Sequence, residues 1–205
     1  GGVTTASLNA LGASDAVNGG TVSTGPISIA DGDTLTLAGS TINAGTITGV
    51  AGATASNVTF NATGAITVSG AVGTDIGAVT VQNSNGVTFQ STVDAATVAI
   101  NNTQANATVA FNGNLNVTTG MTVAAGATPG YNVSLIGATN SIAGQTTFNN
   151  TGLVILGDNG DATTFANGAV HTAGTTTVVG TATATAGNLQ FGTTNLTGTL
   201  NATAG

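Results

Sequence analysis

Apolar residues recur at every second position in short runs along this chain, and Gly, Asn, Asp or Ser fences each run. Alternation of this kind puts the apolar side chains on one face of an extended strand. The runs are Ile27–Ile29, Thr34–Leu37, Val58–Phe60, Ala65–Val68, Val79–Val81, Val87–Phe89 and Thr97–Ile100. They continue with Val109–Phe111, Leu115–Val117, Met121–Val123, Val133–Leu135, Leu153–Leu156, Thr176–Val179 and Leu189–Phe191. Many short strands with turn residues between them predict an all-β sandwich, barrel or solenoid.

A recurring element chooses among these. A β-Thr-Phe unit preceded by an Asn/Gly turn occurs at Asn57–Phe60 and Gly86–Phe89, with looser versions at Thr108–Phe111, Gln145–Phe148 and Asn188–Phe191. Its spacing is irregular, roughly 20 to 40 residues, as for the turns of a solenoid with corners of variable length. The expectation is a parallel β-helix with imperfect rungs, and a β-sandwich or jelly roll is the alternative. Residues 1–26 read as an N-terminal cap or joint, with Thr5–Leu11 as a short helical turn or cap. Residues 27–205 read as the solenoid-like repeat domain, and Thr193–Gly205 as one more rung or an interdomain joint. Pro26 and Pro129 are expected where strands begin, a place that tolerates a missing N–H.

Composition narrows the function. The 205 residues include no Lys, Arg, Glu, Cys or Trp, only seven Asp and one His, for a net charge of −7. An average domain is about a quarter charged, whereas this one is 3% charged. Disordered chains combine high net charge with few β-branched residues, and abundant Val, Ile and Thr argue instead for an ordered β protein. Nucleic-acid affinity comes largely from Lys and Arg neutralising phosphates, so a nucleic-acid partner is not expected. Anionic lipid surfaces are disfavoured for the same reason, and no apolar run is long enough for a membrane helix. A disulfide framework is excluded by the absence of Cys. Trypsin-like proteases have no cleavage site, which suits exposure outside the cell.

The segment Ile27–Ile42 reads as strand, tight turn, strand. Together with the Val-Thr-Phe units it resembles the repetitive passenger regions of bacterial surface proteins, namely autotransporter and filamentous-haemagglutinin-like adhesins, including the large rickettsial surface antigens. The resemblance is one of pattern and composition and covers Ile27 to Gly205. It implies a right-handed parallel β-helix, export across the outer membrane, and a role in adhesion or surface coating. The chain departs from a full autotransporter in carrying no recognisable β-barrel translocator, and its lack of Lys and Arg is extreme for such families. Calcium-dependent surface-layer proteins share the Thr/Ala/Gly/Asn bias.

Two acidic loops are candidate calcium ligands: Asp31-Gly32-Asp33 and Asp158-Asn159-Gly160-Asp161. Calcium takes several oxygen ligands at a flexible glycine-containing turn. Neither loop completes an EF-hand or a calcium-roll pattern, and Asp, Asn and Gly also simply make turns. Asp15, Asp75 and Asp94 are isolated in sequence and read as surface residues rather than a glycosidase pair. His171 reads as a solvated loop residue or a hydrogen-bonded residue within a rung. Thr-x-Thr occurs at Thr34/Thr36, Thr46/Thr48 and Thr181/Thr183/Thr185, places too separated for one continuous ice-binding face. Triplets such as Asn57-Val58-Thr59 and Asn132-Val133-Ser134 are glycosylation acceptors only in a source that glycosylates secreted proteins.

The sequence therefore points to an extracellular or bacterial cell-surface protein that is structural or adhesive, non-catalytic and without a cofactor other than calcium. Its expected partners are copies of itself, neighbouring subunits, or a host or cell-surface receptor. The alternative is a self-assembling filament or surface-layer subunit joined by strand exchange. Ice binding and a polysaccharide-active β-helix enzyme are the lesser alternatives.

Overall fold

The computed structural model describes residues 1–5, 8–11 and 15–202. These form 23 strands and no helix. β1 (Val3–Thr5), β2 (Leu8–Leu11), β3 (Asp15–Thr24), β4 (Ile27–Ile29), β5 (Thr34–Ala44), β6 (Ile47–Gly49), β7 (Ser56–Ala62) and β8 (Ile66–Val68) come first. β9 (Val72–Gly73), β10 (Ile76–Asn83), β11 (Val87–Phe89), β12 (Val93–Ile100), β13 (Thr108–Phe111), β14 (Leu115–Val123), β15 (Asn132–Leu135) and β16 (Thr139–Ile142) follow. β17 (Thr146–Phe148), β18 (Leu153–Leu156), β19 (Ala162–Phe165), β20 (Ala169–Val178), β21 (Thr181–Ala184), β22 (Leu189–Leu196) and β23 (Thr199–Ala202) complete the order.

Every pairing between described strands is parallel, and each strand pairs with one roughly a turn away in sequence. The pairings sort into three ladders that wrap one core. The first ladder runs from the start of β3 through the start of β5, β7, β10, the ends of β12 and β14, β17, and the starts of β20 and β22. The second runs through β1, the ends of β3 and β5, β8, β11, β13, β15, β18 and the ends of β20 and β22. The third runs through β2, β4, β6, β9, the starts of β12 and β14, β16, β19, β21 and β23. The result is a parallel β-solenoid of about nine turns, as the sequence predicts, and the sandwich alternative falls away.

The register gives the repeat that the phenylalanine spacing obscures. One turn is as short as 18 residues, from Thr181 to its partner Thr199, and as long as 25, from Thr122 to Thr147. Phe60, Phe148 and Phe191 belong to the first ladder, Phe89 and Phe111 to the second, and Phe165 to the third. Counting from one Phe to the next therefore mixes faces with turns.

Alternation places one apolar column behind another inside each ladder. Leu37, Phe60, Val81, Ile100, Val123 and Phe148 stack on the first ladder, and each is essentially fully buried. On the second, Phe89 and Phe111 stack in parallel with centroids 4.9 Å apart and 11° between planes. Phe60 meets Phe89 edge-on across the core at 6.0 Å. Burying such side chains contributes about 1.5–3 kcal/mol each relative to exposure, and parallel ladders satisfy the backbone between turns.

The described parts of residues 1–26 are strands. Val3–Thr5 pairs with Val22–Thr24, and Leu8 and Leu11 pair with Ile27 and Ile29, so the described residues of Thr5–Leu11 are extended rather than helical. Ala6, Ser7 and residues 12–14 of the expected cap lie outside the described residues. At the other end, Leu189–Ala202 forms one more turn, and residues 203–205 lie outside the description. Pro26 directly precedes β4, and Pro129 sits in the loop before β15.

Candidate functional site

The corners between ladders hold the candidate calcium ligands. Asp31 and Asp33 lie in the corner between β4 and β5. Asp31 is committed to the neighbouring turn: its Oδ1 accepts the Thr54 N–H at 3.0 Å and its Oδ2 the Ala53 N–H at 3.2 Å. A carboxylate that accepts two backbone N–H groups ties down a loop, here the residues between β6 and β7. The Asp33 backbone closes the corner turn by donating to the Ala30 carbonyl at 3.0 Å.

Asp158 and Asp161 share the corner between β18 and β19, more than five turns along the stack from the first pair. The Asp158 N–H donates to Asp161 Oδ2 at 3.0 Å. That bond is the main cause holding the Asp161 carboxyl below its ordinary range. The Asp158 carboxyl is pushed the other way, chiefly by its hydrogen bond with the Asp161 side chain. Both sit in a turn that Gly160 closes with φ of +74°, a conformation glycine reaches without strain. The structure thus brings 158 with 161 and 31 with 33, and keeps the two pairs apart on different corners.

A third acidic position is visible only in the fold. Asp94 on β12 and Asn116 on β14 are register partners on the third ladder, and Asn116 Nδ2 donates to Asp94 Oδ1 at 2.6 Å. They line a surface cavity of about 260 Å³ together with Asp75 and Thr118. Asp75 has φ of +60° and one carboxylate oxygen that is buried without a partner. The signal in the sequence was a separation of one turn, which can be read only once the register is known. Among the described residues no three His, Asp, Glu or Cys side chains gather as a metal would need.

His171 is fully buried, which makes it a hydrogen-bonded rung residue and not a solvated one. Its Nδ1 lies 2.8 Å from Thr176 Oγ1 and its Nε2 lies 3.0 Å from the Asn150 carbonyl oxygen. Burial is the main cause that lowers its pKa below the ordinary imidazole value.

The threonines spread over the outside of the faces. Thr36, Thr59, Thr80, Ala99, Thr122 and Thr147 follow one another outward on the first ladder. Thr181 and Thr183 stand on the third ladder above Thr199 and Asn201. Of the Thr-x-Thr pairs named from sequence, Thr34/Thr36 stand on the first ladder, whereas Thr48 and Thr181/Thr183 stand on the third with several turns between them. Where threonines do align, it is mostly as one column and not as paired rows. Exposed amides also bond from turn to turn, with Asn101 Nδ2 donating to Gln82 Oε1 at 2.9 Å and Asn102 Nδ2 to Asn83 Oδ1 at 3.0 Å.

No protein-family model, no curated protein and no solved structure matches this chain.

Proposed function

We propose that this chain is an extracellular structural and adhesive segment of a bacterial cell surface, a non-catalytic β-solenoid scaffold. The observation that carries the reading is an unbroken stack of about nine parallel turns whose outer faces are rich in Thr, Asn, Ser, Gly and Ala. Turns stacked at about 4.8 Å give a spacer about 43 Å long, stiffened by continuous backbone bonding. Uncharged hydroxyls and amides on flat faces suit contact with neutral, polar surfaces, and the corners vary in length without disturbing the stack. The test is adhesion: beads carrying the purified chain are expected to be retained on epithelial or bacterial cell layers above albumin-coated beads. Retention equal to albumin, with no assembly of the protein itself, refutes the proposal.

A second reading, the self-assembling filament or surface-layer subunit, has its own support. Among the described residues β22 and β23 each pair with one neighbour only. Leu196 on β22 is 51% exposed and Leu200 on β23 is 36% exposed. A free strand edge with exposed leucines is a template for another strand. Two facing carboxylates at Asp158 and Asp161 would be relieved by a divalent cation. Electron microscopy with and without millimolar calcium separates the readings: ordered filaments or sheets favour the subunit, and dispersed particles in both conditions favour the adhesive spacer.

A further inference from the structure

His171 occupies a place that the column gives elsewhere to an apolar side chain. Its register partner on the first ladder is Phe191 on one side, and on the other lies Phe148, one residue beyond the Thr147–Val170 pair. The Phe148 ring meets the imidazole edge-on, with centroids 6.0 Å apart. Thr176 is likewise a polar residue in an apolar column, following Val154 on the second ladder. The two polar replacements fall in the same turn and bond to each other. The ring is fixed in one tautomer. A carbonyl oxygen only accepts, so Nε2 carries the proton toward Asn150, and Nδ1 accepts from the Thr176 hydroxyl.

A second proton has to arrive at Nδ1. It turns that atom from acceptor to donor against a hydroxyl that was donating to it. It also places a positive charge in the buried interior beside the Phe148 ring. A buried charge is tolerated only when it is paired, and among the described residues no charged partner bonds this ring. β17, β18 and β22, packed against it, carry no ionisable side chain, and on β20 His171 is the only one. The next titratable group in the network is Tyr131, whose backbone carbonyl accepts from Asn150 Nδ2 at 3.0 Å. Its phenol donates to the Ala124 carbonyl at 2.6 Å, and burial keeps it neutral. The surroundings are already short of partners, because the buried Asn150 Oδ1 and Thr146 Oγ1 make no hydrogen bond.

We propose that His171 makes the junction between the turn of β17–β19 and the turn of β20–β21 an acid-sensitive joint, which loosens when the imidazole takes up its second proton. Each turn of a solenoid is held mainly by its two neighbours, so the effect stays local. The stack opens at this junction and the turns built from β7 to β14 stay wound. The sign follows from the lowered affinity of the buried ring for a proton. The joint keeps its full strength above the pKa of a free imidazole, about 6.5. Below that value the open form binds a proton that the closed form refuses. The closing equilibrium then weakens about tenfold per pH unit until the buried ring itself titrates.

The test is amide hydrogen exchange read by mass spectrometry at pH 6.5 and 5.5, corrected for intrinsic rates. Protection across residues 169–202 is expected to fall about fivefold, while residues 76–100 keep theirs. In His171→Gln, which cannot titrate, protection across 169–202 is expected to be equal at the two pH values. Equal protection in the native chain, or a fall that persists in His171→Gln, overturns the proposal. A second measurement stands even if that variant does not wind. The chain has one histidine, so its imidazole gives a single set of NMR signals. A midpoint well below 6.5 in the wound protein supports the joint, and an ordinary midpoint overturns it.

Discussion

Truncating Phe111 to alanine tests whether the aromatic column holds adjacent turns together. Phe111 is fully buried, and its ring lies flat on that of Phe89 at 4.9 Å. Phe89 in turn meets Phe60 at 6.0 Å, so Phe111 is the end of a three-ring chain through successive turns. Removing a buried phenyl ring costs about 3–5 kcal/mol through lost transfer energy and the cavity left behind. The ladder backbone cannot collapse into that cavity, because both neighbouring turns keep it at fixed spacing. Phe89→Ala is expected to cost a similar amount. The double variant is expected to cost less than the sum by about 0.5–1.5 kcal/mol, the extra term for an aromatic pair. Urea unfolding followed by circular dichroism measures all four proteins, with the slope against urea expected to stay constant. Phe111→Leu, which matches Leu135 in the next turn of the column, should cost less than about 1.5 kcal/mol. Additivity of the two alanine variants within about 0.3–0.5 kcal/mol would show that the rings do not couple the turns, and would refute the argument.

Other outcomes follow from single contacts. A Cβ on Gly152 would run into the Tyr131 carbonyl, so Gly152→Ala should lower stability by about 1–3 kcal/mol in the same urea assay. Asn140 Oδ1 accepts the buried Leu115 N–H at 3.0 Å, so Asn140→Leu should lose about 1–3 kcal/mol by orphaning that donor, despite its apolar gain. Calcium is expected to raise the melting temperature of the native chain, and Asp158→Asn/Asp161→Asn should remove that rise; an Asp31→Asn change should instead loosen residues 51–55, seen as faster amide exchange there, because its carboxylate holds Ala53 and Thr54.

The strands that sequence reading found and those it missed differ in one physical respect. Val58–Phe60, Val87–Phe89 and Leu153–Leu156 carry bulky apolar residues at alternate positions, and all lie in strands. The third ladder was largely hidden. Its inward positions include Gly49, Ala95, Asn140, Thr163, Ala182 and Ala184, so β6, β16, β19 and β21 show little apolar alternation. Asn140 occupies the core because its amide spans Gly137 and Thr163 while its oxygen takes the Leu115 N–H. A pattern that scores only apolar residues does not register such a strand. The site was less legible still. Asp158 and Asp161 meet because they are three residues apart, whereas Asp94 and Asn116, or His171 and Asn150, meet because one turn happens to contain that many residues.

The spread in turn length, from 18 to 25 residues, sits in the corners while the ladders hold their alignment. Two kinds of sequence change therefore have opposite consequences. Lengthening a corner, as the residues between β14 and β15 already do, leaves every inward column in phase and alters only what projects from the edge. Adding one residue within a strand such as β11 inverts inside and outside for the rest of that face. A lineage descended from this chain can diversify its edges freely while its columns stay nearly fixed, so a foreign peptide grafted between β14 and β15 would be carried outward on a frame that does not register the change.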